Sequence, residues 1–197
     1  MRLKKFLIST FIIVNLISIN NSYSMESDVF VQSTVNRASE ALNNESSKEE
    51  KIDKLKQIAS ETVDINGIGF YTLGSYRKTI SKNEINQYEK LFKQYFLKSF
   101  ASRLAEYSNP EIEVVSKKKL NENYTIVSSI LLGTEQRPEV KIDWRIYTKN
   151  PQNPMIRDLI IEGLSLARTQ KEEFSSIIQN NDGDINALFS TLEKFIE

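Results

Sequence analysis

The 197-residue chain contains no cysteine and no histidine, and its 26 Lys+Arg balance 26 Asp+Glu. The two absences exclude disulfides, thiolate nucleophiles and cysteine-based zinc sites, and remove the commonest general base and metal ligand. A chain with no excess of positive charge also lacks the surface that nucleic-acid phosphates require.

Residues 1–24 have the organisation of a cleaved secretory signal peptide. Arg2, Lys4 and Lys5 form a basic start. Leu7 to Ile19 is an apolar run too short to span a bilayer, and Ser22 and Ser24 are small residues ahead of a cut before Met25. The remainder carries 23 Lys+Arg against 26 Asp+Glu, a formal charge of −3. Residues 25–197 are expected to form one domain. Export without disulfides suits a bacterial periplasm, and no cysteine is present to carry a lipoprotein anchor.

A helix is predicted from Ser27 to Asn43, with Val31, Val35, Ala38 and Leu42 on one stripe. A second runs from about Ser47 to Thr62, opened by a capping box of Ser47 and Glu50. DINGIGFYTLGSYRKTI is broken by three glycines and predicts a short helix or turn. Ser81 and Glu84 form another capping box. They open the longest helix, whose stripe of Ile85, Tyr88, Leu91, Phe92, Tyr95, Phe96, Phe100 and Leu104 ends before Asn109-Pro110.

Four strands follow. Glu111–Lys118 places Ile112 and Val114 on one face. Tyr124–Leu132 places Tyr124, Ile126, Ile130 and Leu132 on one face, although Val127 and Leu131 lie opposite. Val140–Tyr147 alternates strictly, with Val140, Ile142, Trp144 and Ile146 inward and charged residues outward. The last strand, starting at Met155, is apolar on both parities: Ile156, Leu159, Ile160, Ile161, Leu164 and Leu166. Either an ordinary two-sided core or a cavity holding something apolar accounts for that. Thr169 and Glu172 suggest a third capping box before a helix bearing Phe174, Ile177 and Ile178. Asn181-Asp182-Gly183 breaks it, and Asp184 caps a final helix. The whole is an α+β fold: a four-stranded twisted antiparallel sheet covered by helices on its apolar face, with helices at both ends.

Several groups invite a functional role. The aromatic stripe of the long helix either packs on the sheet or walls a ligand, and one face can do both. Trp144, Ile142, Ile146, Ile130 and Ile160 are expected to face the helices. Asp143, between Lys141 and Arg145, suits a solvated cross-strand ion pair. Asp158 and Glu162 suit acid–base work only if one is buried with a raised pKa. Arg77, Lys78 and Arg168 lie near element ends, where a phosphate head group or plain solvent meets them. No nucleophile elbow, phosphate-binding glycine loop or metal-ligand spacing is present.

Four segments in combination resemble the MlaC family of periplasmic phospholipid carriers, also described as toluene-tolerance proteins, of the Mla outer-membrane lipid-asymmetry system. The first is Val63-Asp64 through Leu73-Gly74-x-Tyr76-Arg77, followed by the aromatic helix from Ser81. The second is Val140-Lys141-Ile142-Asp143-Trp144-Arg145. The third is Asp158 to Leu166 (DLIIEGLSL) with Glu173-Phe174 and Ile177-Ile178 behind it, and the last is Gly183-Asp184 with Leu188 and Leu192. The likeness runs from about residue 29 to residue 196. It departs from the family in lacking a Trp after Tyr76, where Arg77 stands, and an aromatic within Asn153-Pro154-Met155.

The resemblance implies a carrier that is not an enzyme, with bound phospholipid as cargo, no cofactor and no metal. Its partners would be an inner-membrane ABC transporter complex with an MCE-domain subunit and an outer-membrane lipoprotein–porin complex. The expected lipid-facing residues are Phe70, Leu73, Leu91, Tyr95, Phe96, Ile130, Trp144, Ile146, Ile160 and Leu164. At about 0.8 kcal/mol per methylene, a sixteen-carbon chain gains on the order of 12 kcal/mol on leaving water, so a lipid crossing an aqueous gap needs an equivalent shelter. Two alternatives stand beside this. One is a secreted cone-shaped α+β hydrolase or isomerase using Asp158 or Glu162. The other is an interaction module with a filled core.

Overall fold

The computed structural model describes residues 25–107, 110–135 and 137–197; the signal-peptide expectation and Asn109 lie outside them. Helices α1 (Ser27–Asn43), α2 (Lys48–Thr62), α3 (Ile65–Thr72) and α4 (Lys82–Leu104) precede a sheet of β1 (Ile112–Asn121), β2 (Tyr124–Leu131), β3 (Val140–Tyr147), β4 (Met155–Ile161) and β5 (Leu164–Ser165). Helices α5 (Leu166–Gln179) and α6 (Ile185–Ile196) close the chain. The strands run β1-β2-β3-β4-β5, each antiparallel to its neighbour. The α+β class and the helices at both ends follow the sequence expectation, with one short strand more.

Local chemistry sets most helix starts. Ser47 with Glu50 and Ser81 with Glu84 form complete capping boxes, and Asp184 accepts from the Asn186 N–H to start α6. Helix α5 differs from the expectation. It starts at Leu166 with Ser165 as its cap, accepting from the Arg168 N–H, while Thr169 donates to the Ser165 carbonyl inside the first turn.

The last strand also differs. It ends at Ile161, and Glu162 and Gly163, with φ of 49° and 83°, make a two-residue hairpin turn to β5. A bulge at Arg157 changes the parity of β4. Ile156 therefore sits opposite Ile146, and Leu159 opposite Trp144, on the same face. Bulge and hairpin together explain why apolar residues occupy both parities. The bulge frees Arg157 to leave the ladder. Its guanidinium reaches Asp64 at 2.6 Å and the Tyr124 hydroxyl at 3.0 Å, and lies 4.1 Å from the Tyr147 ring centre. Asp64 also caps α3 through the Gly67 N–H, and its own N–H donates to the Ile156 carbonyl. One acid thus fastens α3 to the sheet.

The inner face carries Val127, Ser129 and Leu131 of β2 against Trp144, Ile142 and Val140 of β3. This corrects the expected face of β2. Ile130 pairs with Lys141 and Ile160 with Asp143, both on the other face. The smaller Ser129 faces inward because it is the acceptor for the buried Trp144 indole N–H, at 2.8 Å. Asp143 pairs with Lys141 along its own strand at 3.3 Å and accepts from Ser128 at 2.6 Å, so its ion pair is not cross-strand.

Tyr88 and Phe92 of α4 are buried with Phe174 of α5 set edge-on to both. The Tyr88 hydroxyl shares a 2.7 Å hydrogen bond with Thr72, and burial pushes its pKa up. Helix α3 approaches α4 closely at Gly69, where an added Cβ would lie 2.7 Å from the Phe92 ring. Gly69→Ala is expected to lower stability by about 1–3 kcal/mol, measured by urea unfolding.

Candidate functional site

Beneath the helices the inner face of the sheet is not filled. Two adjacent lobes lie there, of about 220 Å³ and about 150 Å³. They share Val63, Phe100, Trp144, Ile156 and Leu159 as walls. The larger lobe lies between α4, α5 and the β3–β4 pair. Phe92, Tyr95, Phe96 and Phe100 form one wall, and Leu166, Ala167, Thr169, Gln170 and Glu173 the other. The smaller lobe lies under α1, α2 and the end of α4, lined by Val35, Ala38, Leu42, Leu55, Ile58, Leu104, Leu131, Ile142 and Ile161 among others.

The long helix therefore serves both roles that its stripe allowed. Its N-terminal aromatics, Tyr88 and Phe92, pack into the core, and from Phe92 onward the stripe faces the cavity. Phe96 and Phe100 stack at 5.6 Å with their rings nearly parallel. Phe174 and Phe195 brace Tyr95 from α5 and α6 at 5.8 and 4.8 Å.

The polarity of the two lobes differs. In the smaller one the hydroxyls of Thr34, Ser39 and Thr62 donate to the carbonyls of Phe30, Pro110 and Ile58. Those donors are spent on the protein's own backbone, and the remaining lining is almost wholly apolar. The larger lobe carries Ser99, Arg103, Asp158, Thr169, Gln170 and Glu173. Arg103, Leu166 and Glu173 are both lining and exposed, so the lobe opens between the C-terminal half of α4 and the first turns of α5.

A polar strap crosses that opening. The Tyr95 hydroxyl donates to Gln170 Oε1 at 2.8 Å, and Gln170 Nε2 donates to Glu173 Oε2 at 2.9 Å. Burial pushes the Tyr95 pKa up, which keeps it a neutral donor. Tyr95→Phe removes one neutral hydrogen bond of about 1 kcal/mol. Uptake and release of an apolar guest are expected to accelerate about fivefold, read by stopped-flow with a fluorescent lipid.

Of the two carboxylates suited to catalysis, Asp158 is 3% exposed and reaches the cavity wall. Both of its oxygens are engaged. Oδ2 accepts from the Ser165 hydroxyl at 2.6 Å and faces Arg145 at 3.6 Å, while Oδ1 accepts from the Ala167 N–H at 3.0 Å. That arrangement caps α5 and pins it to β4. Glu162 is exposed in the hairpin turn, where it accepts from the Lys141 N–H. Among the described residues no group of three or more acidic side chains could hold a metal ion.

Of the ten residues expected to face a lipid, Tyr95, Phe96 and Trp144 line the cavity. Leu73 and Ile146 are buried in the solid core, and Leu91 packs against it. Phe70 is exposed with the Arg77 guanidinium 5.2 Å from its ring centre, and Leu164 is exposed on the hairpin. Ile130 and Ile160 lie on the opposite face of the sheet. The shared walls Val63, Phe100, Ile156 and Leu159 are absent from that expectation. Phe100 was visible in the aromatic stripe, whereas the inward turn of Ile156 with Leu159 depends on the bulge.

The model of the family described as MlaC protein matches residues 32–194. A solved structure described as a phospholipid-binding protein from Ralstonia solanacearum, in complex with a phospholipid, shares the fold. Its TM-score is 0.72 at 18% sequence identity, over 87% of this chain and 97% of that one. No curated protein matches.

Proposed function

The chain belongs to the MlaC protein family, and on that premise we propose that it is a phospholipid carrier. Acyl chains occupy the two lobes, and the head group sits at the opening between α4 and α5. The observation that carries this is the unfilled, largely apolar space between sheet and helices, two adjacent lobes that have five wall residues in common. Its fold-level neighbour is named as a phospholipid-binding protein in complex with a phospholipid. Methylene burial is non-directional, so such a cavity accepts tails of varied length and unsaturation.

The proposed setting is the periplasm, reached by cleavage of the N-terminal segment. The carrier shuttles lipid between an outer-membrane lipoprotein–porin complex and an inner-membrane ABC transporter complex with an MCE-domain subunit. No catalysis is required of it, which suits the engagement of both Asp158 oxygens by α5 and Arg145. A transfer assay between donor vesicles holding a labelled phospholipid and unlabelled acceptor vesicles tests the reading. The expected result is transfer proportional to protein concentration, and acceleration when the purified MCE-domain subunit is displayed on the acceptor. No transfer above spontaneous exchange contradicts it.

A further inference from the structure

The cavity opening carries one cation and one anion that do not pair with each other. Arg103 lies in the last turn of α4 and Glu173 in the middle of α5, both exposed and both lining the larger lobe. No ion pair or hydrogen bond of the Arg103 side chain is present among the described residues. Among the described residues Glu173 accepts only from Gln170 Nε2, at Oε2, which leaves its Oε1 without a hydrogen-bond partner there. Both charges act on the Tyr95 hydroxyl, Glu173 raising its pKa and Arg103 lowering it, so Arg103 lies near the strap of which Glu173 is one end. None of the residues lining the smaller lobe is charged, and its polar side chains are Thr34, Ser39, Thr62 and Tyr107 with the Trp144 indole, so the larger lobe's opening is the end that offers charges to a head group.

We propose that Arg103 binds the phosphodiester of the cargo and Glu173 the ammonium of its head group, making the opening selective for zwitterionic over anionic glycerophospholipids. This rests on the carrier reading above and adds a head-group preference to it. A guanidinium presents a fork of donors that matches two phosphate oxygens, which an unpaired exposed arginine beside an apolar cavity is placed to supply. The carboxylate repels a head group whose only charge is negative and attracts one that carries an amine. The opening is wet, so the charge preference is a few-fold effect, not an absolute filter.

The test is uptake from vesicles of matched acyl composition by the delipidated protein. Three probes are used: phosphatidylethanolamine, phosphatidylglycerol, and diacylglycerol, which has both tails and no phosphate. The wild type is expected to load phosphatidylethanolamine about three- to fivefold better than phosphatidylglycerol. Arg103→Gln is expected to reduce uptake of both phospholipids about tenfold and to leave diacylglycerol uptake unchanged, and Arg103→Lys to recover part of the loss. Glu173→Gln is expected to abolish the preference by raising phosphatidylglycerol uptake. Equal loading of the two phospholipids by the wild type, or variants that retain its uptake and ratio, overturns the inference while the carrier reading stands. A parallel loss of diacylglycerol uptake in Arg103→Gln assigns the arginine to helix stability and also overturns it. A wild type that takes up none of the three overturns the carrier reading itself.

Discussion

Leu159→Trp is expected to cut phospholipid uptake at least tenfold while lowering the melting temperature by no more than about 3 °C. Leu159 lies on the inner face of β4 opposite Trp144, where the two lobes meet. A larger side chain there grows into the empty space that both lobes offer and takes up room an acyl chain would use. In a filled core the same enlargement forces neighbouring side chains off their rotamers and costs about 1–3 kcal/mol or more. Val127 supplies the contrast. It is fully buried on the same sheet face, opposite Trp144, and borders neither lobe. Val127→Trp is therefore expected to destabilise the protein strongly. Thermal unfolding and vesicle uptake on the two variants separate a cavity from solid packing, because only at Leu159 do function and stability part company.

Asp158→Asn is expected to lower stability by about 2–3 kcal/mol and the melting temperature by about 5–10 °C. The carboxylate joins three elements: it accepts from Ser165 and Ala167 at the start of α5, and faces Arg145 on β3 from its own place on β4. The amide keeps one acceptor but presents N–H groups to Ser165 or to the guanidinium. The loss is smaller than for a fully buried pair, because Arg145 is 41% exposed and water screens it. Measured by urea unfolding of delipidated protein, an unchanged midpoint contradicts the pinning role. The folded fraction is expected to take up lipid normally, since the substitution changes little of the apolar wall. A variant with full stability and no uptake would instead place Asp158 in the binding chemistry.

The legible parts of this fold are those where sequence neighbours satisfy one another. Ser47, Ser81 and Asp184 start helices by bonding to backbone N–H groups within three residues, so their signal is complete in a short window. Strict alternation from Val140 to Tyr147 fixes the inner face of β3 in the same way. Illegible parts depend on partners far along the chain. Ile126 and Ile130 are bulkier than Ser129, yet Ser129 turns inward because a tryptophan on the next strand needs an acceptor. Arg157 leaves the ladder because Asp64, 93 positions earlier, holds it. That displacement turns Ile156 and Leu159 to one face and creates the wall the two lobes share.

The same reasoning covers the candidate site. Tyr95, Phe96 and Trp144 were legible as cavity residues because one stripe and one alternating strand aim them at each other. The polar rim was not. Arg103 lies eight residues beyond Tyr95, two turns along one face of α4, but its place beside an opening appears only once α5 is folded back over the sheet. Thr169 resembled a cap because its spacing to Glu172 fits the pattern; Ser165 takes the role because the Glu162-Gly163 hairpin delivers it to Asp158.

Native mass spectrometry tests the central claim most directly, on protein exported to a periplasm and purified without detergent. The account predicts a species heavier than the bare polypeptide by one phospholipid mass, released as a glycerophospholipid on extraction. A spectrum containing only the bare polypeptide, with no mass gained after incubation with phospholipid vesicles, would contradict it.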